Sequence, residues 1–150
     1  MPDSLANVVM SPDLLANLNA IAPTVKRRIM RPAFRKGAAV VARAAKKKVP
    51  IRYGYLKKSI KYAAARSGMN ARVYVSGKSY EEQRAHTKTG TVRPANYAHL
   101  VEFGTRDAAP HPFMRPALAA SRPAAMAVIT AEAARQFDKQ FAKLKTEAAS

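Results

Sequence analysis

Residues 96–120 read NYAHLVEFGTRDAAPHPFMRPALAA, and the order of residue types within them sets the architecture. Tyr97, Leu100 and Val101 recur at helical spacing, and Gly104 follows where such a helix would stop. Pro110 and Pro112 then frame a corner, and Pro116 stands at the opening of a further helix. Glycine ends helices because it adopts backbone angles that other residues avoid, and proline suits a first helical turn, whose N–H groups lack partners anyway. Two helices therefore meet at one corner.

Upstream, VPIRYGYLKKSI (residues 49–60) is a second corner, with Gly54 for a backbone turn and Leu56 and Ile60 as apolar anchors either side of Lys57 and Lys58. It leads into two expected strands, Ile60–Ala65 and Ala71–Ser76. ARVYVS alternates, with Val73 and Val75 on one face and Tyr74 on the other, and SGMN between the strands is a turn signal. A lone hairpin is marginal in water, so it needs further pairing or helix cover. Before this corner, Ser11-Pro12-Asp13 is a helix start and Leu14, Leu18, Ile21, Val25 and Ile29 recur at three- and four-residue steps. The apolar pattern resumes through Ala33, Gly37, Val40, Val41 and Ala44 and ends at the lysines before Pro50, giving one long bent helix with kinks or short breaks at Pro23 and Pro32.

Lys78–Pro94, KSYEEQRAHTKTGTVRP, shows no apolar period and is rich in charge, Thr and Gly. It reads as a long exposed loop, residues 78–94, either a mobile arm that orders against a neighbouring subunit or a hairpin tip with no partner. After the central corner, Met126, Ile129, Ala133, Phe137, Phe141 and Leu144 mark a long C-terminal helix, expected to restart at Pro123 with Ser121 or Arg122 near its cap.

YAHLVEFGT followed by HPFMRPAL, with VPIRYGYLKKSI upstream, resembles the signature of tailed-phage neck and tail-completion proteins of the HK-ninety-seven gene-product-ten type. The resemblance implies a structural virion protein of the head–tail junction, in a ring of its own copies, assembled in the host cytoplasm. It implies contacts with tail terminator, tail tube or head-closure proteins around the DNA exit path, with six-fold symmetry by analogy and twelve-fold nearer the portal. It also implies that the motif residues determine the fold: Gly54 and Gly104 for backbone geometry, Leu56, Tyr97, Val101, Phe103 and Phe113 for the core, Pro112 and Pro116 for the corner.

The chain has 27 Lys and Arg against 9 Asp and Glu, net +18, and no acid lies between Asp13 and Glu81. Such a field attracts polyanions such as genomic double-stranded DNA or the acidic faces of partner proteins, and solvated helix faces are the plain alternative. The contact candidates are Lys26, Arg27, Arg28, Arg35, Lys36, Lys46, Lys47 and Lys48 on the first helix, with Arg84, Lys88 and Arg93 in the 78–94 segment. A chain of 150 residues fits one domain, residues 1–150. The first residues lack a signal-peptide pattern and no apolar run reaches the ~20 residues of a membrane span, so a soluble, cytoplasmically made chain with no membrane association is expected.

Catalytic constellations are thin. No cysteine is present, which excludes disulfides and thiolate metal sites, and no phosphate-binding glycine loop or Gly-x-Ser-x-Gly occurs. His99 and Glu102 share a helix face, with Asp107 and His111 as the nearest further metal ligands, but a working site needs three or four. Glu102 reads better as a structural acid that pairs with Arg106 or Arg115 and fixes the corner at Gly104. No cofactor is expected, and the acids are too scattered for a metal nuclease. The expectation is a non-enzymatic α+β domain with long N-terminal and C-terminal helices packed on a small antiparallel β-sheet. A non-specific basic DNA-binding protein is the alternative function.

Overall fold

The computed structural model describes residues 22–52, 54–84 and 87–149. In chain order they form α1 (Pro23–Lys48), α2 (Tyr55–Ser59), β1 (Ile60–Ala64), β2 (Ala71–Val75), β3 (Tyr80–Arg84), β4 (Thr87–Val92), α3 (Pro94–Phe103) and α4 (Met114–Ala148). This is the α+β arrangement expected, with the two long helices packed together and on a two-stranded antiparallel sheet. The helix start at Ser11-Pro12-Asp13 and the positions Leu14, Leu18 and Ile21 lie outside the described residues.

The long helices run antiparallel, because two apolar clusters join them at opposite ends. Near the start of α1, Ile29, Met30 and Ala33 pack with Ile129 and Ala133, flanked by Val25, Phe34, Met126 and Phe137. At its other end Ala42, Ala45 and Val49 pack with Leu56, Ile60, Phe113 and Ala117, and Val73, Val75, Tyr97 and Val101 close over them. Between the clusters Gly37 lets the helices touch. A Cβ there would stand 2.4 Å from Ile129 Cγ1 and 3.2 Å from the Ala125 carbonyl, so any larger residue would push the pair apart.

Of the interruptions expected at Pro23 and Pro32, the first coincides with the start of α1 and the second is absent. Pro23 is the first residue of α1, with Ala22 outside the helix at φ −51°, ψ 140°, while Pro32 sits within the unbroken helix. Pro123, expected to restart the C-terminal helix, is likewise internal to α4. Each internal proline leaves one carbonyl four residues earlier without its N–H partner. Those carbonyls belong to Arg28 and Ala119, both exposed residues, where water can satisfy them.

β1 and β2 pair antiparallel with Ile60 opposite Val75, Tyr62 opposite Val73 and Ala64 opposite Ala71. Ile60, Val73 and Val75 thereby share the face that packs on the cluster around Phe113, and Tyr74 faces outward as its alternation requires. Helix α1 supplies the cover that a lone hairpin needs.

The 78–94 segment departs from the loop expected there. It is a second antiparallel hairpin, with Tyr80 opposite Val92, Glu81 opposite Thr91 and Arg84 opposite Thr87, and a register shift between Glu82 and Arg84. Threonine at 87, 89 and 91 is the period-two signal, carried by a β-branched polar residue in place of an apolar one. The hairpin base is fastened by Arg93 Nε donating to Ser79 Oγ at 2.8 Å and by the Tyr80 ring 5.5 Å from that of Tyr55.

Candidate functional site: the helix corner and the basic face

The corner is built from the end of α3 and the start of α4. Pro94 opens α3 in its first turn, and Gly104 closes it, with the Gly104 N–H donating to the Leu100 carbonyl at 2.8 Å. Gly104 has φ 77° and ψ 178°, a region open essentially to glycine alone, and a Cβ would stand 2.8 Å from both the Ala108 oxygen and the Pro110 nitrogen. The return loop is held by Thr105 N–H to the Ala108 carbonyl at 2.9 Å and His111 N–H to the Val101 carbonyl at 2.8 Å.

Glu102 joins the two helices. Its Oε2 accepts the backbone N–H groups of Phe113 at 2.8 Å and Met114 at 3.0 Å, and its Oε1 accepts that of Arg115 at 3.1 Å. The first N–H groups of any helix lack intrahelical partners and carry its positive dipole end, so a carboxylate is the group they favour. No side chain of α4's own N-cap, Phe113, supplies this bond. Burial alone would raise the Glu102 pKa, but the three N–H donors and the Arg115 charge outweigh it and hold the carboxyl below its ordinary value. The structural role foreseen for Glu102 thus operates through backbone amides, where an ion pair with Arg106 or Arg115 was expected.

The other corner residues divide. Leu56 and Phe113 are buried, and Tyr97 and Val101 pack half-buried against them. Gly54 has φ 74° directly before α2. Pro112 is exposed and Pro116 half-buried. Phe103 is not in the core: it is 59% exposed, with the Arg115 guanidinium 4.3 Å over its ring. Glu102 must turn inward to reach α4, and its chain neighbour Phe103 points out on the next helical step. Beside the corner lies an apolar cleft of about 630 Å³, lined in part by Pro50, Leu56, Tyr97, Leu100, Val101 and His111. Among the described residues no group of three or more His, Cys, Asp or Glu gathers, and His99, Asp107 and His111 are exposed while the Glu102 carboxylate is engaged by backbone amides.

A second buried acid lies on α4. Glu132 accepts from Lys36 Nζ at 2.6 Å, Arg135 at 2.6 Å and Gln136 Nε2 at 2.7 Å. The hydrogen bonds from Arg135, Gln136 and Lys36 lower its pKa to about 2. Lys36 is therefore committed to an internal ion pair and leaves the set of candidate contacts. Arg27 lies against the turn at Gly68, whose added Cβ would sit 3.1 Å from Arg27 Cγ. Arg84 and Lys88 fall in β3 and β4, outside the residues whose side chains the structure describes. Arg93 is tied to Ser79.

Lys26 is half-buried and Lys48 exposed on the far side of the helix from Arg28, which leaves an open face of α1 carrying Arg28, Arg31, Arg35, Arg43 and Lys47, with Lys46 half-buried among them and no acid anywhere on the helix. Arg31 and Arg43 belong to this face although each stands outside the charge runs. Helical spacing from Arg28 was the signal that could have found them.

These features define a structural domain: two long helices locked at a capped corner over a hairpin. Residues 13–104 match the family described as "Bacteriophage HK97-gp10, putative tail-component", and the chain belongs to that family. The match includes VPIRYGYLKKSI and YAHLVEFG and ends at Gly104, before HPFMRPAL. No curated protein and no solved structure matches the chain. Among the described residues no helix is long and apolar enough to cross a membrane.

Proposed function

We propose that the chain is a subunit of the phage head–tail junction, forming a neck or tail-completion ring of its own copies that binds tail terminator, tail tube or head-closure proteins around the DNA exit path. The observation that carries this reading is the family match over residues 13–104. The surface around the corner agrees with it. Leu100, 43% exposed, lines the cleft, Phe103, 59% exposed, stands three residues on in the same helix, and Ile51, 66% exposed, lies in the chain between the lining residues Pro50 and Arg52. Grouped exposure of this kind on a highly charged chain suits burial against another subunit. Head-to-tail contacts between unlike surfaces form rings where the rotation between copies closes, and a cleft on one copy with an exposed apolar side chain on the next fits this mode of assembly.

The test is electron microscopy of a lysate from phage carrying an early stop codon in this gene. Packaged heads with separate tails, or tails with abnormal head-proximal ends, support the junction role. Intact infectious particles in normal numbers refute it.

A further inference from the structure

The open face of α1 has a charge arrangement that the ring reading does not require. Arg28, Arg31 and Arg35 form one group, and Arg43, Lys46 and Lys47 a second, all on the arc of the helix left uncovered by α4 and the sheet. At 1.5 Å of rise per residue the groups lie about 12 Å apart along the axis, and Arg28 to Lys46 spans about 27 Å. The second group lines a shallow groove beside α4, with Val40, Ala44 and Ser121 as its remaining walls. Arg43 Nε donates weakly to its own helix at the Ala39 carbonyl, 3.4 Å away, which leaves its terminal nitrogens open. Among the described residues none of the six makes an ion pair. The two acids buried among the described residues, Glu102 and Glu132, are engaged elsewhere, by the amides of α4 and by Lys36 and Arg135.

We infer that this face tracks the phosphate backbone of double-stranded DNA without reading its sequence. A span of about 27 Å matches roughly 16 duplex charges at one per ~1.7 Å, so an extended polyanion can meet both groups at once and a small anion cannot. A protein partner fits less well. Protein interfaces centre on buried apolar anchors with charges at the rim, and between the two groups this side of α1 offers Ala39, Val40 and the ion-paired Lys36, with no aromatic or large aliphatic anchor. The inference rests on charge geometry and stands apart from the ring.

The test is fluorescence anisotropy of a labelled 30-base-pair duplex with the full chain between 50 and 200 mM NaCl. Six phosphate contacts give a slope of log K on log salt near −5, an affinity loss of about 10³-fold over that range. R28Q/R31Q/R35Q should bring the slope to about −2.7 and the loss to about 40-fold, each contact being worth about 0.9. R122Q/K139Q/K145Q, which removes the same charge from exposed positions of α4, should leave the slope within about one of the parent. All six positions are exposed, and circular dichroism of each variant checks its fold. Equal slope changes in the two variants, or no binding at 50 mM salt, would overturn the inference. So would poly-glutamate displacing the duplex at lower charge concentration than unlabelled DNA, since the face would then suit an acidic protein.

Discussion

Replacing Glu102 isolates the corner. In Glu102→Ala the N–H groups of Phe113, Met114 and Arg115 lose their acceptor at the head of a 35-residue helix. Loss of a cap alone costs ~0.5–2 kcal/mol, and loss of a negative charge at a helix N-terminus a further ~0.3–2 kcal/mol. The Phe113 amide is buried and would go unsatisfied, a penalty of ~1–3 kcal/mol. These contributions overlap, so about 3 kcal/mol is expected for Glu102→Ala, or roughly 6–12 °C in Tm for a domain of this size. Glu102→Gln keeps one acceptor oxygen and the side-chain volume but turns an NH2 group toward the remaining donor, and should cost about half as much. The pH dependence follows from the lowered pKa. The unfolded carboxyl titrates near 4.5 and the folded one below it, so the stabilisation is fully present above 4.5 and is lost as pH falls through the folded value. Urea denaturation at pH 7, 5, 4 and 3 should therefore show a parent-to-Gln gap that is flat down to about pH 5 and narrows below it. A Glu102→Ala loss under about 0.5 kcal/mol, or a gap that does not change with pH, would refute the capping account.

Gly104→Ala should destabilise by more than ~2 kcal/mol, combining a disallowed backbone region with contacts at 2.8 Å. Gly54→Ala meets nothing within 4 Å and should cost only the ~1 kcal/mol of a left-handed conformation, so chemical denaturation of the two variants tests the steric account. Glu132→Gln should cost about 1 kcal/mol at pH 7, because Lys36 and Arg135 are 54% and 63% exposed and water screens the pairing. Its folded pKa of about 2 keeps that difference until pH falls below 4.5 and removes it by about 2, which acid titrations followed by circular dichroism would detect. Phe113→Ala should lose ~3–5 kcal/mol by leaving a void among Ala45, Leu56 and Ala117, measured as a lower urea midpoint at unchanged slope.

The helices and the first hairpin were legible because their signals are apolar and periodic: Ile29, Ala33 and Gly37 for α1, Val73 and Val75 for β2. Glycine at 104 marked the corner for a reason the structure bears out sterically. The second hairpin was illegible to an apolar criterion, since its alternation is written in Thr87, Thr89 and Thr91. Pro32 and Pro123 misled because proline disfavours a helix interior locally, while the long apolar interface between α1 and α4 offsets two missing hydrogen bonds at exposed carbonyls. Phe103 misled in the opposite sense. An aromatic residue inside a motif suggests core, but the adjacent Glu102 needs the inward direction to reach three amides. The acceptor role of Glu102 depends on residues 11 to 13 positions ahead of it, and no local pattern encodes that distance.

Two of the chain's nine acids act between the long helices and the corner. Glu102 fixes the first turn of α4, and Glu132 ties its middle to α1 through Lys36. The remaining cations repel one another across a surface with few counter-charges, a cost that dissolved salt reduces by screening. Moderate salt should therefore stabilise this fold, while the same ions compete with protein cations for a phosphate backbone. The two dependences have opposite sign. A loss of DNA affinity between 50 and 200 mM salt cannot then be attributed to unfolding, and the slope reports contacts made by the open face of α1.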